Sequence, residues 1–171
     1  ADRAAPPASK NWFGSATTGI RDQGQCGSCW AFSAVEQVES DWFLSGKSGW
    51  SQPQALSVQQ VVDCDTVSAH GCSGTYAGGG GSYDFIAKNG GLASETNYPY
   101  TSGRTKKTGT CKATKSENSA TISGYKTVSS KASSESKMVT QIQTSPMSVC
   151  VDAESWQTYR SGVVGKSCKA Q

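Results

Sequence analysis

Apolar residues recur at helical spacing in the first half of the chain. Between Cys29 and Leu44 they fall every three or four positions, which predicts an amphipathic helix that Gly46 ends. A second helix is predicted from Ser57 to Cys64, because Ser57 is a suitable N-cap and Gln60 stands three residues after it. These two segments predict a helical first part of the molecule.

The later segments are shorter and more polar. A third helix is predicted over Ser82–Lys88, where an Asn-Gly-Gly sequence stops it, and residues 101–120 resemble a polar loop. Strands are predicted over Thr121–Val128 and Met147–Ala153, whereas Lys137–Thr144 could form a helix or a surface turn. The pattern therefore predicts a helical first lobe followed by a part with more strand.

Charge divides the chain in the same way. Residues 1–103 carry nine acids and five bases, and residues 104–171 carry four acids and eleven bases. A shift of this size favours two lobes that meet near residue 104, although a chance gradient within one domain is an alternative. The net charge of +3 is too weak to indicate nucleic-acid binding. No apolar run is long enough for a membrane span, and no signal peptide is visible, so we expect a cytosolic or already processed chain.

Candidate chemistry concentrates where a glycine-bearing loop, residues 23–28, enters the first predicted helix. Cys29 then stands at the helix N-terminus, where the helix dipole favours a thiolate by about 0.3–1 kcal/mol. A strongly activated nucleophile would also need a neighbouring imidazolium. The Cys26-x-x-Cys29 spacing also fits a redox pair or half of a zinc site, but the polar upstream residues and the lack of a second such pair disfavour both.

The sequence Cys26-Gly27-Ser28-Cys29-Trp30 matches the signature of papain and the cathepsins. Further segments resemble the same family in the same order: Gln23, Leu56–Asp65, Gly71–Gly74, Asn89–Leu92, Tyr98–Tyr100, Pro146–Val149 and Tyr159–Val163. The resemblance runs from about residue 6 to Cys168. On these motifs the chain is identified as a member of the papain-like cysteine protease family.

This resemblance implies an α+β, papain-like, two-lobed fold. Its parts would be an N-terminal arm over 1–14, a helical left lobe over 15–112 and the first part of a β-rich right lobe over 113–171. It also implies a cysteine endopeptidase that hydrolyses peptide bonds through a thioester acyl-enzyme on Cys29. Gln23 resembles the side-chain donor of the oxyanion hole, which acts with the Cys29 backbone N–H. No metal or organic cofactor is implied.

The resemblance also implies a set of substrate-binding positions: Gly27, Ser28, Trp30, Gly74, Thr75, Tyr76, Ala77 and Cys150. Trp30 would pack behind the nucleophile. Thr75 replaces a usual glycine and would narrow or shift the approach of the substrate backbone, unless the glycine run 78–81 takes that role or the segment is a surface loop without substrate contact. Cys150 would line the pocket for the residue second from the cut on the acyl side, or would be a buried strand cysteine.

Seven cysteines leave at least one thiol unpaired within the chain. By resemblance, Cys26 pairs with Cys72 and Cys64 pairs with Cys111. Cys168 matches a cysteine whose partner lies in a further segment. Disulfides of this kind imply an oxidising compartment, so we expect a lysosome-like or extracellular location.

The catalytic histidine and asparagine of the family lie roughly 130–150 residues after the cysteine. The only histidine, His70, is 41 residues after Cys29 and is interpreted as a surface or loop residue. We therefore expect a companion C-terminal chain or segment that supplies both residues and is bridged through Cys168, or else a longer single chain. The alternatives are a non-catalytic papain-like protein that binds peptides or partners, and a thiol-disulfide oxidoreductase. Expected partners are polypeptide substrates and cystatin-type or propeptide inhibitors.

Overall fold

The computed structural model describes residues 9–75, 80–131, 135–151, 153, 156 and 158–161. Its helices and strands are α1 (Cys29–Leu44), α2 (Val58–Cys64), α3 (Gly80–Lys88), β1 (Leu92–Ala93), α4 (Ser102–Thr105), β2 (Asn118–Ala120) and α5 (Glu135–Gln141), with a 3-10 turn over Lys115–Glu117. Strands β1 and β2 pair antiparallel. Within these residues, no helix combines the length and the apolar character needed to cross a membrane.

The hydrophobic core forms where α1 packs against α2, α3 and β2, and Leu92 of β1 belongs to the same cluster. Its fully buried members include Ala31, Val35, Leu56, Val58, Val61, Ile86, Leu92 and Ala120. Each large aliphatic side chain buried in this way contributes roughly 1.5–3 kcal/mol relative to an exposed one. The core therefore fixes α1 firmly, and the first residue of α1 is Cys29.

The two helices with clear periodicity are confirmed. Helix α1 ends where predicted, since Gly46 adopts φ +69° and its N–H donates to the Phe43 carbonyl at 3.1 Å. At the start of α2, the Ser57 hydroxyl accepts from the Gln60 N–H at 2.9 Å, which confirms the predicted cap. The Gln60 side chain accepts from the Ala93 N–H at 2.7 Å and so fixes β1 against α2.

Helix α3 begins at Gly80, two residues earlier than the prediction. A Cβ atom at Gly81 would overlap the Ser68 side chain, and one at Gly80 would lie 2.8 Å from the Tyr125 hydroxyl oxygen. Close packing against Ser68 therefore favours glycine at position 81, in the first turn of this helix.

The strands predicted over 121–128 and 147–153 are wrong for the described residues, which form bends and irregular segments there. A strand needs the backbone N–H and C=O groups of a neighbour, and at the start of the second segment the Gln37 side chain binds the Pro146 carbonyl and the Ser148 N–H instead. The predicted loop over 101–120 is also wrong in part, because it contains α4, the 3-10 turn and β2. Helix α5 and the turn after it resolve the ambiguity over 137–144, and the α+β class is confirmed.

Candidate active site

The candidate nucleophile is the first residue of a sixteen-residue helix. The Cys29 thiol is free and exposed. The Ser28 carbonyl before it accepts the Ala31 and Phe32 N–H groups at 2.9 and 3.1 Å, so the first turn is well formed. The thiol consequently lies at the positive end of the helix dipole.

One side of the loop before Cys29 is held by Tyr100. The Tyr100 and Ser28 hydroxyl oxygens are 2.7 Å apart, and Tyr100 also donates to the Gln23 carbonyl at 2.9 Å. Its ring packs edge-on against Phe32 at 5.0 Å between centroids. Burial raises the pKa of Tyr100, which keeps its hydroxyl protonated as a donor. This residue ties both ends of the nucleophile loop to the core.

The other side of the loop is held by the segment around Cys72. The Cys26–Cys72 disulfide joins the two segments, and the Gly27 N–H donates to the Cys72 carbonyl at 3.0 Å. Gly27 and Ser73 form a parallel bridge. A Cβ atom at Gly27 would lie 2.7 Å from the Cys72 carbonyl oxygen, so only glycine permits this approach.

Gln23, the proposed oxyanion donor, lies half-buried in the same loop. Its Nε2 donates to the Cys26 carbonyl at 3.0 Å, which orients the side-chain amide. An amide nitrogen carries two hydrogens, so the second can donate to a ligand. The loop is also anchored by the Gln25 N–H, which donates to the Gly103 carbonyl at 2.9 Å.

The side chains of Ser28 and Trp30 are buried, and for Trp30 this agrees with the expected packing behind the nucleophile. Ser28 is fully buried and Trp30 is 5% exposed. The Trp30 indole N–H is shared between the Gly27 and Gly71 carbonyls at 3.1 and 3.2 Å. The side chains of Ser28 and Trp30 therefore support the nucleophile loop, whereas Gly27 between Cys26 and Ser28 is exposed.

The loop with Gly74 and Thr75 runs beside Gly27. Gly74 has φ +90°, an added Cβ there would meet no atom of the described residues within 4 Å, and the Gly74 carbonyl accepts from the His70 N–H at 2.9 Å. The Thr75 hydroxyl donates to the Ser68 carbonyl at 2.7 Å, so it is turned back toward its own loop. Tyr76 and Ala77 lie outside the described residues. His70 is exposed on this loop, which confirms its interpretation as a surface residue.

Cys150 is free and exposed, so the alternative of a buried strand cysteine is wrong. The adjacent Val149 and Val151 are about half exposed, at 51% and 50%. Two residues before Cys150, the Ser148 hydroxyl donates to the Ser33 carbonyl at 2.8 Å. Ser33 is one helical turn after Cys29, so the segment leading to Cys150 lies against the nucleophile helix.

Both implied disulfides are formed, Cys26–Cys72 and Cys64–Cys111, and Cys168 lies outside the described residues. Because Cys26 is bonded to Cys72, it cannot form a redox pair with Cys29, and the oxidoreductase alternative is wrong. Among the described residues, no cluster of histidine, cysteine and carboxylate side chains could hold a metal ion.

A buried ion pair near the site has no counterpart in the predictions. Glu39 is fully buried, and its carboxylate accepts from Arg21 and Thr18 at 2.6 Å each and from the Leu56 N–H at 2.8 Å. Burial raises the pKa of Glu39, and these donors oppose that shift. The one sequence feature that could have indicated this pair was a glutamate next to Val38 on the apolar face of α1. The pair fixes residues 18–21, which lead directly into Gln23.

The family model described as papain family cysteine protease matches residues 6–171. Cysteine endopeptidase RepA from Oryza sativa subsp. japonica is 41% identical over 159 residues, which cover 90% of this chain and 38% of RepA. Stem bromelain from Ananas comosus is 39% identical over 167 residues, which cover 96% of this chain and 72% of bromelain.

Solved structures of cysteine proteases are similar to this chain as well. The structure of bromelain from Ananas comosus in complex with the E64 inhibitor aligns with a TM-score of 0.74 and 38% identity, covering 90% of this chain and 67% of that chain. The recombinant stem bromelain precursor aligns with a TM-score of 0.78 over 92% of this chain and 48% of that chain. The chain spans less than half the length of several curated relatives, including RepA at 38% and cysteine proteinase 5 of Dictyostelium discoideum at 42%.

Proposed function

The chain belongs to the papain family of cysteine proteases, and on that premise we propose that it is part of a cysteine endopeptidase acting on polypeptides through Cys29. The observation that carries this proposal is the exposed, unpaired thiol at the first residue of α1, on a loop held from both sides by Tyr100 and Cys72. The substrate cleft would run between the lobes over 15–112 and 113–171.

The proposed reaction begins with the Cys29 thiolate. Its sulfur bonds to the carbonyl carbon of the substrate, and the π electrons move to the carbonyl oxygen. The free N–H of the Gln23 amide and the Cys29 backbone N–H would stabilise that oxyanion, and one such donor contributes about 2.7–4 kcal/mol to lowering the barrier. The carbon–nitrogen bond then breaks, the amine leaves with a proton from an imidazolium, and water hydrolyses the thioester.

We propose that a further polypeptide segment supplies the imidazole and its orienting asparagine, bridged through Cys168. Two observations support this: the single histidine of the chain is His70 on an exposed loop, and curated relatives are longer than this chain. A cavity of about 420 Å³ between residues 13–21, α1 and residues 146–149 offers such a segment a place to pack.

Intact mass with and without reduction tests the companion segment. A second fragment released on reduction, or one continuous mass above 17.9 kDa in both states, would agree with the proposal. A mass of 17.9 kDa in both states, from protein isolated without added protease, would contradict it.

Thiol labelling tests the nucleophile. Since bromelain is solved with the E64 inhibitor, we expect an epoxide of this type to alkylate Cys29 in the complete folded protein. Cys150 is the internal control, because it is also free and exposed but does not begin a helix. Peptide mapping that finds Cys150 modified and Cys29 intact would overturn the assignment.

The second candidate function is a papain-like protein that binds peptides without cutting them. It is favoured by the exposed position of His70, the single histidine in the sequence. Turnover separates the two. The complete protein should cleave an unfolded polypeptide substrate, and the Cys29→Ala variant should bind that substrate without cleaving it. Equal binding by both proteins with no product from either would support the binding function.

We propose a lysosome-like or extracellular location, and cystatin-type or propeptide inhibitors as further partners. The two disulfides, which bridge 46 and 47 positions, support an oxidising environment during folding. Localisation of the tagged complete protein by microscopy tests the first proposal, and inhibition of its peptidase activity by a cystatin tests the second.

A further inference from the structure

The segment 146–148 is bound to α1 by one side-chain amide. The Gln37 Nε2 donates to the Pro146 carbonyl at 2.9 Å, and the Gln37 Oε1 accepts from the Ser148 N–H at 2.7 Å. A single amide thus pairs with a backbone carbonyl and an N–H two residues apart, as a neighbouring strand would. Gln37 replaces the strand partner that this segment lacks among the described residues.

The Ser148 hydroxyl adds contacts of the same segment with both α1 and α3. The Tyr83 and Ser148 hydroxyl oxygens are 2.8 Å apart, and Ser148 donates to the Ser33 carbonyl at 2.8 Å. The Tyr83 ring also packs against Tyr125, with 5.3 Å between ring centroids. Because burial raises the pKa of Tyr83, this hydroxyl stays protonated. Helix α3, the segment 146–148 and α1 are therefore linked through one serine.

These contacts determine where Cys150 lies. Ser33 is four residues after Cys29, about one turn or 5.4 Å along α1. Cys150 is two residues after Ser148, at most about 7 Å of extended chain. Fixing Ser148 on α1 therefore limits the position of Cys150 relative to the nucleophile.

We propose that Gln37 and Tyr83 are positioning residues for peptide hydrolysis, which hold Cys150 beside the nucleophile helix and thereby select the substrate side chain that fits there. This inference rests on the proposed function, in which Cys150 borders the substrate. Neither residue touches the reacting atoms, and both act through the segment 146–148.

The first test measures position without catalysis. Cys29 and Cys150 are free and exposed, so bis-maleimides of graded length can join them in the complete protein, and peptide mapping identifies the pair. We expect one preferred spacer length in the wild type. In Gln37→Met and Tyr83→Phe, loss of a hydrogen bond should lower the yield at that length about two- to tenfold.

The matched control is Gln54→Met, which makes the same change at an exposed glutamine. It should keep the wild-type length profile. Tyr83→Phe removes a single oxygen and keeps the ring, so thermal unfolding of each variant shows whether the protein still folds. An unchanged length profile in folded Gln37→Met and Tyr83→Phe would overturn the proposal.

The second test measures selectivity. Two peptides that differ only at the residue second from the cut, leucine in one and phenylalanine in the other, are compared in the complete protein. Misplacement of the pocket wall should change their ratio of kcat/KM by about three- to tenfold, mainly through KM. The rate of Cys29 alkylation should not change, because α1 keeps its core contacts.

The two tests separate the two hypotheses. A changed crosslinking profile in a protein that cleaves no peptide would support the positioning and contradict the proposed function. Peptide cleavage with unchanged selectivity and an unchanged crosslinking profile would support the proposed function and contradict the roles of Gln37 and Tyr83.

Discussion

At the scale of single residues, the position of Cys29 at a helix start was predictable from the sequence. The contacts that hold the loop before Cys29 were not. A loop followed by helical periodicity places a cysteine at a helix start from local sequence alone. Tyr100 and Gly103, which hold that loop, come more than seventy positions later, and only the folded chain brings them to it. The exposure of Cys150 also depends on non-local packing. Its apolar neighbours in the sequence had suggested a buried position instead.

Arg21 shows how strongly one residue can matter beside the site. Its guanidinium is 2.6 Å from the carboxylate of Glu39, whose side chain has no solvent exposure. Arg21→Met would leave that carboxylate buried without its cation. We expect the free energy of unfolding to fall by about 3–5 kcal/mol, measured by urea denaturation.

Arg104→Met provides the control for this prediction. Arg104 is exposed, so the same substitution should change the free energy of unfolding by less than about 0.5 kcal/mol. Equal effects of the two substitutions would show that the buried pair contributes no more than a surface arginine.

At the scale of secondary structure, some elements are determined by local sequence and others by contacts between distant parts of the chain. Helices α1 and α2 carry their own periodicity and caps, so the sequence predicted them. The short strands β1 and β2 exist because Leu92 lies opposite Ala120, a pairing across a long stretch of chain that no local pattern reports. For the same reason an apolar run over 147–151 resembled a strand but binds Gln37 instead.

Gly91, just before β1, tests this pairing. It adopts φ +119°, and a Cβ atom there would overlap the Ala120 carbonyl oxygen. Gly91→Ala should therefore add backbone strain and separate the two strands. We expect the free energy of unfolding, measured by thermal or urea denaturation, to fall by roughly 3 kcal/mol or more. Protection of the amides in residues 118–120 from hydrogen exchange should fall as well.

Gly46→Ala is the matched comparison. Gly46 also has a positive φ, +69°, but no heavy atom of the described residues lies within 4 Å of the added Cβ. Gly46→Ala should therefore lower the free energy of unfolding only by the cost of placing alanine in a left-handed backbone conformation, about 1–2 kcal/mol. If Gly46→Ala cost as much as Gly91→Ala, the close contact with Ala120 would have no energetic role.

At the scale of the whole molecule, three carboxyls that are wholly or partly buried share one property. Burial raises the pKa of Glu36, Glu39 and Glu95 above the ordinary value of 4.5, and the Arg21 charge only partly opposes this. Above pH 4.5 the folded chain therefore holds more protons than the unfolded chain, until the pH exceeds the raised values. The free energy of unfolding consequently decreases as the pH rises through that window.

We therefore expect the midpoint of thermal unfolding to fall as the pH rises from about 4.5 through the raised pKa values of these carboxyls. Glu36→Gln should make this fall smaller, because it removes one of the three groups; its contribution is reduced by screening, since 43% of its side chain is exposed. Glu135→Gln, at an exposed position on α5, should leave the pH dependence unchanged. Scanning calorimetry at graded pH measures all three proteins. A midpoint that rises steadily toward neutral pH would contradict the prediction, because it would require the unfolded chain to bind the additional protons.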